Sequence, residues 1–184
     1  MDADLSARLV SLLRAAGPDG LRQPDRLSCG AASVVVARLL LADPDSAAGV
    51  ADWRSEVLTT HRSLTGLRDH RGATQLPWPR ALGTPPWAVA RALGALTGRS
   101  HRTRFVLDRD AAYRRLLAAP MPAALYVGNR WLPRHVVLVV AVDPERVTCY
   151  EPSRGVATVV PRAAFDDARL RLAGWDVPWF TVTG

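Results

Sequence analysis

The chain has 184 residues, which favours one domain, and close to half of them are apolar, enough for a full core. Its formal charge of +7 comes from 24 arginines with no lysine; they are scattered, without a basic run or interleaved aromatics, which speaks for codon usage in a high-GC genome and against a nucleic-acid partner. Two cysteines are too few for a disulfide framework, four histidines show no metal-ligand spacing, and no apolar run approaches a membrane span, so neither metal nor membrane is expected.

Residues 3–15 read as an amphipathic helix with Leu5, Leu9, Leu12 and Leu13 on one face. The start is acidic and lacks the basic end and unbroken apolar core of a secretory signal, so a cytoplasmic chain is expected, with signal-less export left open. Gly17-Pro18-Asp19-Gly20 ends the helix in a turn. A polar segment then runs to Cys29. From Gly30 to about Leu41, Ala32, Val35, Val36, Leu39 and Leu40 recur at helical spacing, with Ser28 as the expected N-cap. Asp43-Pro44-Asp45 breaks this helix, and residues 46–60, with Val50, Trp53, Val57 and Leu58, read as another. Residues 61–83 are the least regular and are expected to form a long surface loop, one wall of a cleft. Thr84 is the expected cap of a helix with Pro85 at its first position, stopped by Gly98.

The period then changes to two. Arg104–Leu107 is an expected strand, Asp108 caps a helix over 109–118, and Ala123–Val127 and His135–Val142 are strands. Asp143–Arg146 turns the chain into Val147–Glu151; Ser153-Arg154-Gly155 turns it again into Val156–Val160. A short helix over 162–170 and a last strand, Pro178–Val182, complete the layout. Helices come first and an antiparallel sheet second, an α+β plan. The whole chain, 1–184, is read as one domain, with a helical half (1–100) holding Cys29 and a β half (101–184) holding His135.

A cysteine in the first turn of a helix meets free N–H groups and the positive end of the helix dipole, which stabilise the thiolate, the nucleophilic form. Alone, Ser-Cys-Gly-Ala is a small core run; three other features change its reading. Gln23, six residues upstream, carries an amide donor suited to an oxyanion, with the Cys29 N–H as a second. Gly30 leaves room for a substrate backbone. His135 opens an apolar strand, and the returning strand ends at Glu151, so an antiparallel pair puts both at one edge of the sheet, within a residue or two in register. A cysteine, a histidine that takes its proton and a third group that orients the imidazole form a nucleophilic constellation. Trp131, four residues before His135, and Trp78 are candidate walls of a substrate cleft. Cys149, inside a strand, reads as core.

The run QPDRLSCG resembles the Gln-x5-Cys-Gly signature of papain-like cysteine peptidases. HVVLVVAVDPERVTCYEPSRG resembles the second motif of one branch, the peptidase domains of bacteriocin-processing ABC exporters, which cleave after double-glycine leaders, and their soluble relatives. The resemblance spans roughly residues 20–182. It implies a papain-like fold, with Gln23 as the oxyanion glutamine, Cys29 as nucleophile and His135 as base. Glu151, Pro152 and Gly155 fall where the family closes its next strand; Glu151 stands in place of aspartate or asparagine and is one methylene longer. The implied activity is peptide-bond hydrolysis through a thioester on a peptide or protein substrate, with no cofactor. Two alternatives stay open at this stage: a glutamine deamidase or transglutaminase, including toxin-like effectors, and a catalytically silent module that binds peptides or proteins.

Overall fold

The computed structural model describes residues 2–42, 52–68 and 72–184. Helix α1 covers Asp2–Ala16 and buries Leu5 and Leu9. Helix α2, Cys29–Leu41, is the centre of the packing: every residue from Cys29 to Ala37 is buried, along with Leu40. Small side chains make this possible. Ala31, Ala32, Ser33 and Ala37 let the neighbouring elements approach the helix on all sides, so it carries no solvent-facing stripe over its first two turns.

Helix α3 covers Trp53–Thr65, later than the expected 46–60; residues 43–51, including Val50 and the Asp43–Asp45 breaker, lie outside the described residues. Asp52 sets its start by accepting a hydrogen bond from the Ser55 N–H at 3.0 Å. Val57, His61 and Leu64 recur at helical spacing and are buried, so the pattern continues through the first residues of what read as loop. Among its described residues, the remaining connection contains a 3-10 turn at Arg80–Leu82. Helix α4, Pro86–Thr97, starts one residue later than expected. Pro85 occupies its N-cap position, because the Thr84 side chain is turned inward against Gly30 and makes no cap.

The strands are β1 (Arg102–Phe105), β2 (Ala123–Gly128), β3 (Pro133–Val142), β4 (Arg146–Glu151), β5 (Val156–Pro161) and β6 (Val177–Thr183). They form one six-stranded sheet in the order β1-β6-β2-β3-β4-β5, with every neighbouring pair antiparallel. The α+β plan of helices followed by an antiparallel sheet is the observed architecture. Strand β1 begins two residues before the expected Arg104, since Arg102 pairs with Thr183 and Phe105 with Phe180. At this edge of the sheet Arg102, Arg104 and Phe105 are exposed. Helix α5, Arg109–Ala118, is capped by Asp108 as expected, its carboxylate accepting from the Ala111 N–H at 3.0 Å. Helix α6 spans only Arg162–Asp166, because Ala168 takes a positive φ of 54° and ends the helical path.

Val136 to Val140 of β3 are all buried, and α1 and α2 both pack against this strand. One hydrophobic cluster draws on α1, α2, α4 and the central strands together, so the helical and β halves share a core. No helix of the described residues is long and apolar enough to cross a membrane.

Candidate active site

Cys29 opens α2, so its side chain sits at the N-terminal end of the helix facing the sheet. Ser28 precedes it, but the expected serine cap is not formed. The Ser28 backbone, at φ −94° and ψ 13°, is outside the extended region that an N-cap residue takes. Its hydroxyl donates instead to the Asp25 carbonyl at 3.4 Å. The first turn of α2 therefore has no side-chain cap competing for its N–H groups.

His135 lies near the start of β3, opposite Val127 of β2. Leu138 pairs with Tyr150, so Val137 faces Glu151 one step along, and His135 lies two residues beyond Val137 on the same side of the strand. The glutamate reaches His135 diagonally across this step. Its Oε1 meets His135 Nε2 at 2.7 Å, and both side chains are almost fully enclosed, at 5% and 1% exposure. The extra methylene of glutamate relative to aspartate supplies the diagonal reach. Cys29 acts on the same ring, its side chain standing first among the influences that raise the His135 pKa. With Nε2 engaged by Glu151, Nδ1 is the nitrogen left for the sulfur.

Burial by itself lowers the pKa of an imidazole, but here the hydrogen bonds and charges of Cys29 and Glu151 outweigh it and hold His135 up at about 9. Burial works in the other direction on Glu151, yet the donors from His135 and Ser153 keep its carboxyl below the usual carboxylate range. Oε1 also accepts from the Ser153 N–H at 2.8 Å, and Oε2 accepts from the Ser153 hydroxyl at 2.7 Å. Arg154 Nε stands 3.6 Å from Oε2 on the exposed side. Two aromatic hydroxyls border the same region. Tyr126, fully buried, donates to the Thr84 carbonyl at 3.0 Å, and Tyr150 to the Leu21 carbonyl at 2.5 Å. Burial pushes both phenols well above their ordinary pKa, with Cys29 adding to the effect on each.

The segment carrying Gln23 is fixed to the turn after Glu151. The Gln23 N–H donates to the Pro152 carbonyl at 2.8 Å, and Arg22 Nε donates to the Ser153 carbonyl at 2.9 Å. The Gln23 side chain folds back on its own segment: Nε2 donates to the Asp25 carbonyl at 2.5 Å, while Oε1 is buried without a partner. The room that Gly30 leaves is taken by Thr84, whose Cβ lies 2.7 Å from the place a Gly30 Cβ would occupy. That glycine serves close packing of α2 against the loop before α4 rather than an open approach.

Trp131 is 68% exposed in the β2–β3 loop, with the Arg130 guanidinium 4.7 Å from its ring centroid. Asn129 shapes this loop by accepting from the Trp131 and Leu132 N–H groups, both at 2.9 Å. Trp78 packs edge-to-face on Trp87, ring centroids 5.1 Å apart. Cys149 is buried and free, and burial, with the Glu151 charge, pushes its thiol up to about 12. Among the described residues, no group of three or more His, Cys, Asp and Glu side chains is placed to hold a metal ion.

The sequence singled out Cys29, His135 and Glu151, and these three converge. It passed over Ser153 as an ordinary turn residue. The one available signal was its place two residues after a glutamate, where a hydroxyl and N–H both fold back onto the carboxylate. Tyr126 and Tyr150 carried no signal beyond that of core aromatics.

No family model matches the chain, and no curated protein matches its sequence. Among solved structures, it is similar to a double glycine motif protease from an AMS/PCAT transporter, crystallised in complex with the leader peptide. The identity is 12%, the match covers 89% of each chain, and the TM-score is 0.48.

Proposed function

We propose that the protein is a cysteine hydrolase that cleaves peptide bonds. The observation that carries this reading is the buried contact of His135 Nε2 with the Glu151 carboxylate, 2.7 Å apart, with Cys29 acting on the same imidazole. A buried imidazole whose pKa is held up beside a cysteine is suited to take and return that cysteine's proton. The Cys29 sulfur attacks the carbonyl carbon, forming an S–C bond and pushing the carbonyl electrons onto oxygen. The N–H groups of the uncapped first turn of α2 face the developing oxyanion. As the tetrahedral intermediate collapses, the C–N bond breaks, and His135 gives its proton to the departing amine. The neutral imidazole then takes a proton from water, whose oxygen attacks the thioester; the acid product leaves and the thiolate–imidazolium pair returns. Glu151 holds the ring and offsets its charge throughout.

Gln23 enters this scheme as a second oxyanion donor once its amide leaves the Asp25 carbonyl. Substrate binding would supply the exchange, since one carbonyl acceptor replaces another. That same amide contact favours a second reading, a silent peptide-binding module in which Gln23 only closes the loop.

Iodoacetamide labelling followed by intact mass between pH 5 and 9 separates the two. The hydrolase reading expects Cys29 to label readily near pH 6 and the His135→Ala variant to label there at least roughly a hundredfold more slowly. Cys149 is the internal control, because it stays unlabelled over this range. Equal labelling rates in both proteins would sink the hydrolase reading. Where His135-dependent labelling is found, peptide-library cleavage against primary-amide hydrolysis then distinguishes a peptidase from a deamidase.

A further inference from the structure

We infer that Ser153 is the positioning residue of this site, holding the Glu151 carboxylate in the rotation that serves His135. The inference rests on the hydrolase reading for its functional meaning and on geometry for its content. Glu151 has two oxygens and both are accounted for. Oε1 receives His135 Nε2 at 2.7 Å and the Ser153 N–H at 2.8 Å. Oε2 points away from the imidazole and receives the Ser153 hydroxyl at 2.7 Å. Its other neighbour, Arg154 Nε, lies beyond hydrogen-bonding distance at 3.6 Å on a 69% exposed side chain.

A glutamate has one more rotatable bond than an aspartate, so the reach that lets it meet His135 across the strand step also lets it swing away. The hydroxyl removes that freedom. It pins the oxygen that His135 does not use, which leaves Oε1 as the one aimed at the ring. The backbone of Ser153 is itself fixed. The Gly155 N–H closes the turn onto the Glu151 carbonyl at 2.9 Å, and Arg22 Nε grips the Ser153 carbonyl. Hydroxyl, N–H and carbonyl of one residue thus bind the carboxylate on one side and the Gln23 segment on the other.

Without the hydroxyl, Oε2 is left in a 1% exposed pocket with no donor in range. A carboxylate so placed turns toward Arg154 and water or takes up a proton. Either outcome takes negative charge from Nε2 and makes His135 a weaker base.

The test is an NMR titration of the His135 ring in wild type, Ser153→Ala and Ser153→Thr. In Ser153→Ala the His135 midpoint drops from about 9 by about one pH unit. Ser153→Thr, which keeps the hydroxyl, restores the midpoint. In a Glu151→Gln background Ser153→Ala produces no further change, which a general loosening of the turn would not reproduce; this comparison still decides the matter if Ser153→Ala lowers the melting temperature. An unchanged His135 midpoint in folded Ser153→Ala, or an equal drop in the Glu151→Gln background, overturns the inference. The hydrolase reading fails separately, if wild-type Cys29 labelling is independent of His135 whatever the Ser153 variants do.

Discussion

At the scale of single residues, one interaction dominates the pH behaviour. His135 and Glu151 are a buried pair, and each shift has a definite sign. The His135 contribution to stability is complete below the ordinary imidazole value of about 6.5 and is lost as pH rises through about 9. The Glu151 contribution is present above the ordinary carboxyl value of 4.5 and is lost as pH falls through its depressed folded value. The pair therefore stabilises most between about 4.5 and 6.5 and fades toward pH 9. Cys29 and Glu151 together oppose the desolvation of the imidazole, and Glu151→Gln removes the second of them, so His135 should titrate closer to 6.5. Melting curves recorded across pH should show the gap between wild type and Glu151→Gln narrowing from pH 6.5 to 9. A gap constant over that range would mean that the pair does not titrate as the geometry implies. This much of the site was legible in the sequence, because a histidine at the start of one strand and an acid at the end of its antiparallel partner are brought together by pairing alone. The atoms were not legible. Which oxygen meets which nitrogen depends on the two-residue diagonal and on Ser153, and a β-bulge between Val139 and Ala141 enters the register that sets it.

At the scale of elements, α2 places the cysteine, and its neighbours place α2. Gly30 is the tightest point. A methyl group there would meet Thr84 Cβ at 2.7 Å and Oγ1 at 2.9 Å, deep in the packing. Gly30→Ala should cost about 1–3 kcal/mol of unfolding free energy by overpacking, measured by denaturant melts, although alanine is the better helix former. A stabilised variant would show that the loop before α4 yields freely. The sequence made the element types plain wherever periodicity was strong, as in α1, α2, α5 and the four central strands. It misled at ends. Val57, His61 and Leu64 carry α3 past the residue where composition turned polar, and Thr84 looked like a cap although its side chain is needed against Gly30. Both errors have one cause: tertiary contacts decided the boundary, and a local reading has no access to them. Gly30 itself was read as space for a substrate, since a sequence does not say which neighbour fills the gap a glycine leaves.

At the scale of the whole molecule, the core that the first third of the chain shares with the last is backed by a seam at one turn. Gly155 sits at φ +65° with its missing Cβ 2.8 Å from the Arg22 nitrogen, so only glycine lets the turn press on the Gln23 segment. Gly155→Ala adds backbone strain and a clash together, about 1–3 kcal/mol. It should also slow Cys29 labelling, although residue 155 contacts neither Cys29 nor His135 in the mechanism proposed. Normal labelling in a folded Gly155→Ala protein would show that the seam is not needed for the site. The arginine excess has a consequence at this scale too. The sheet is open at β1, where Arg102 and Arg104 project from the outermost strand. An open strand offers its free N–H and C=O groups to any similar strand it meets, and a second copy of this chain carries the same strand. Two guanidinium groups facing two more make that meeting repulsive. Changing Arg102 and Arg104 to valine should leave the monomer folded yet turn its rim adhesive, with light scattering rising with concentration and strongest in high salt. Part of the positive charge of the chain is thus a guard against self-assembly into fibres.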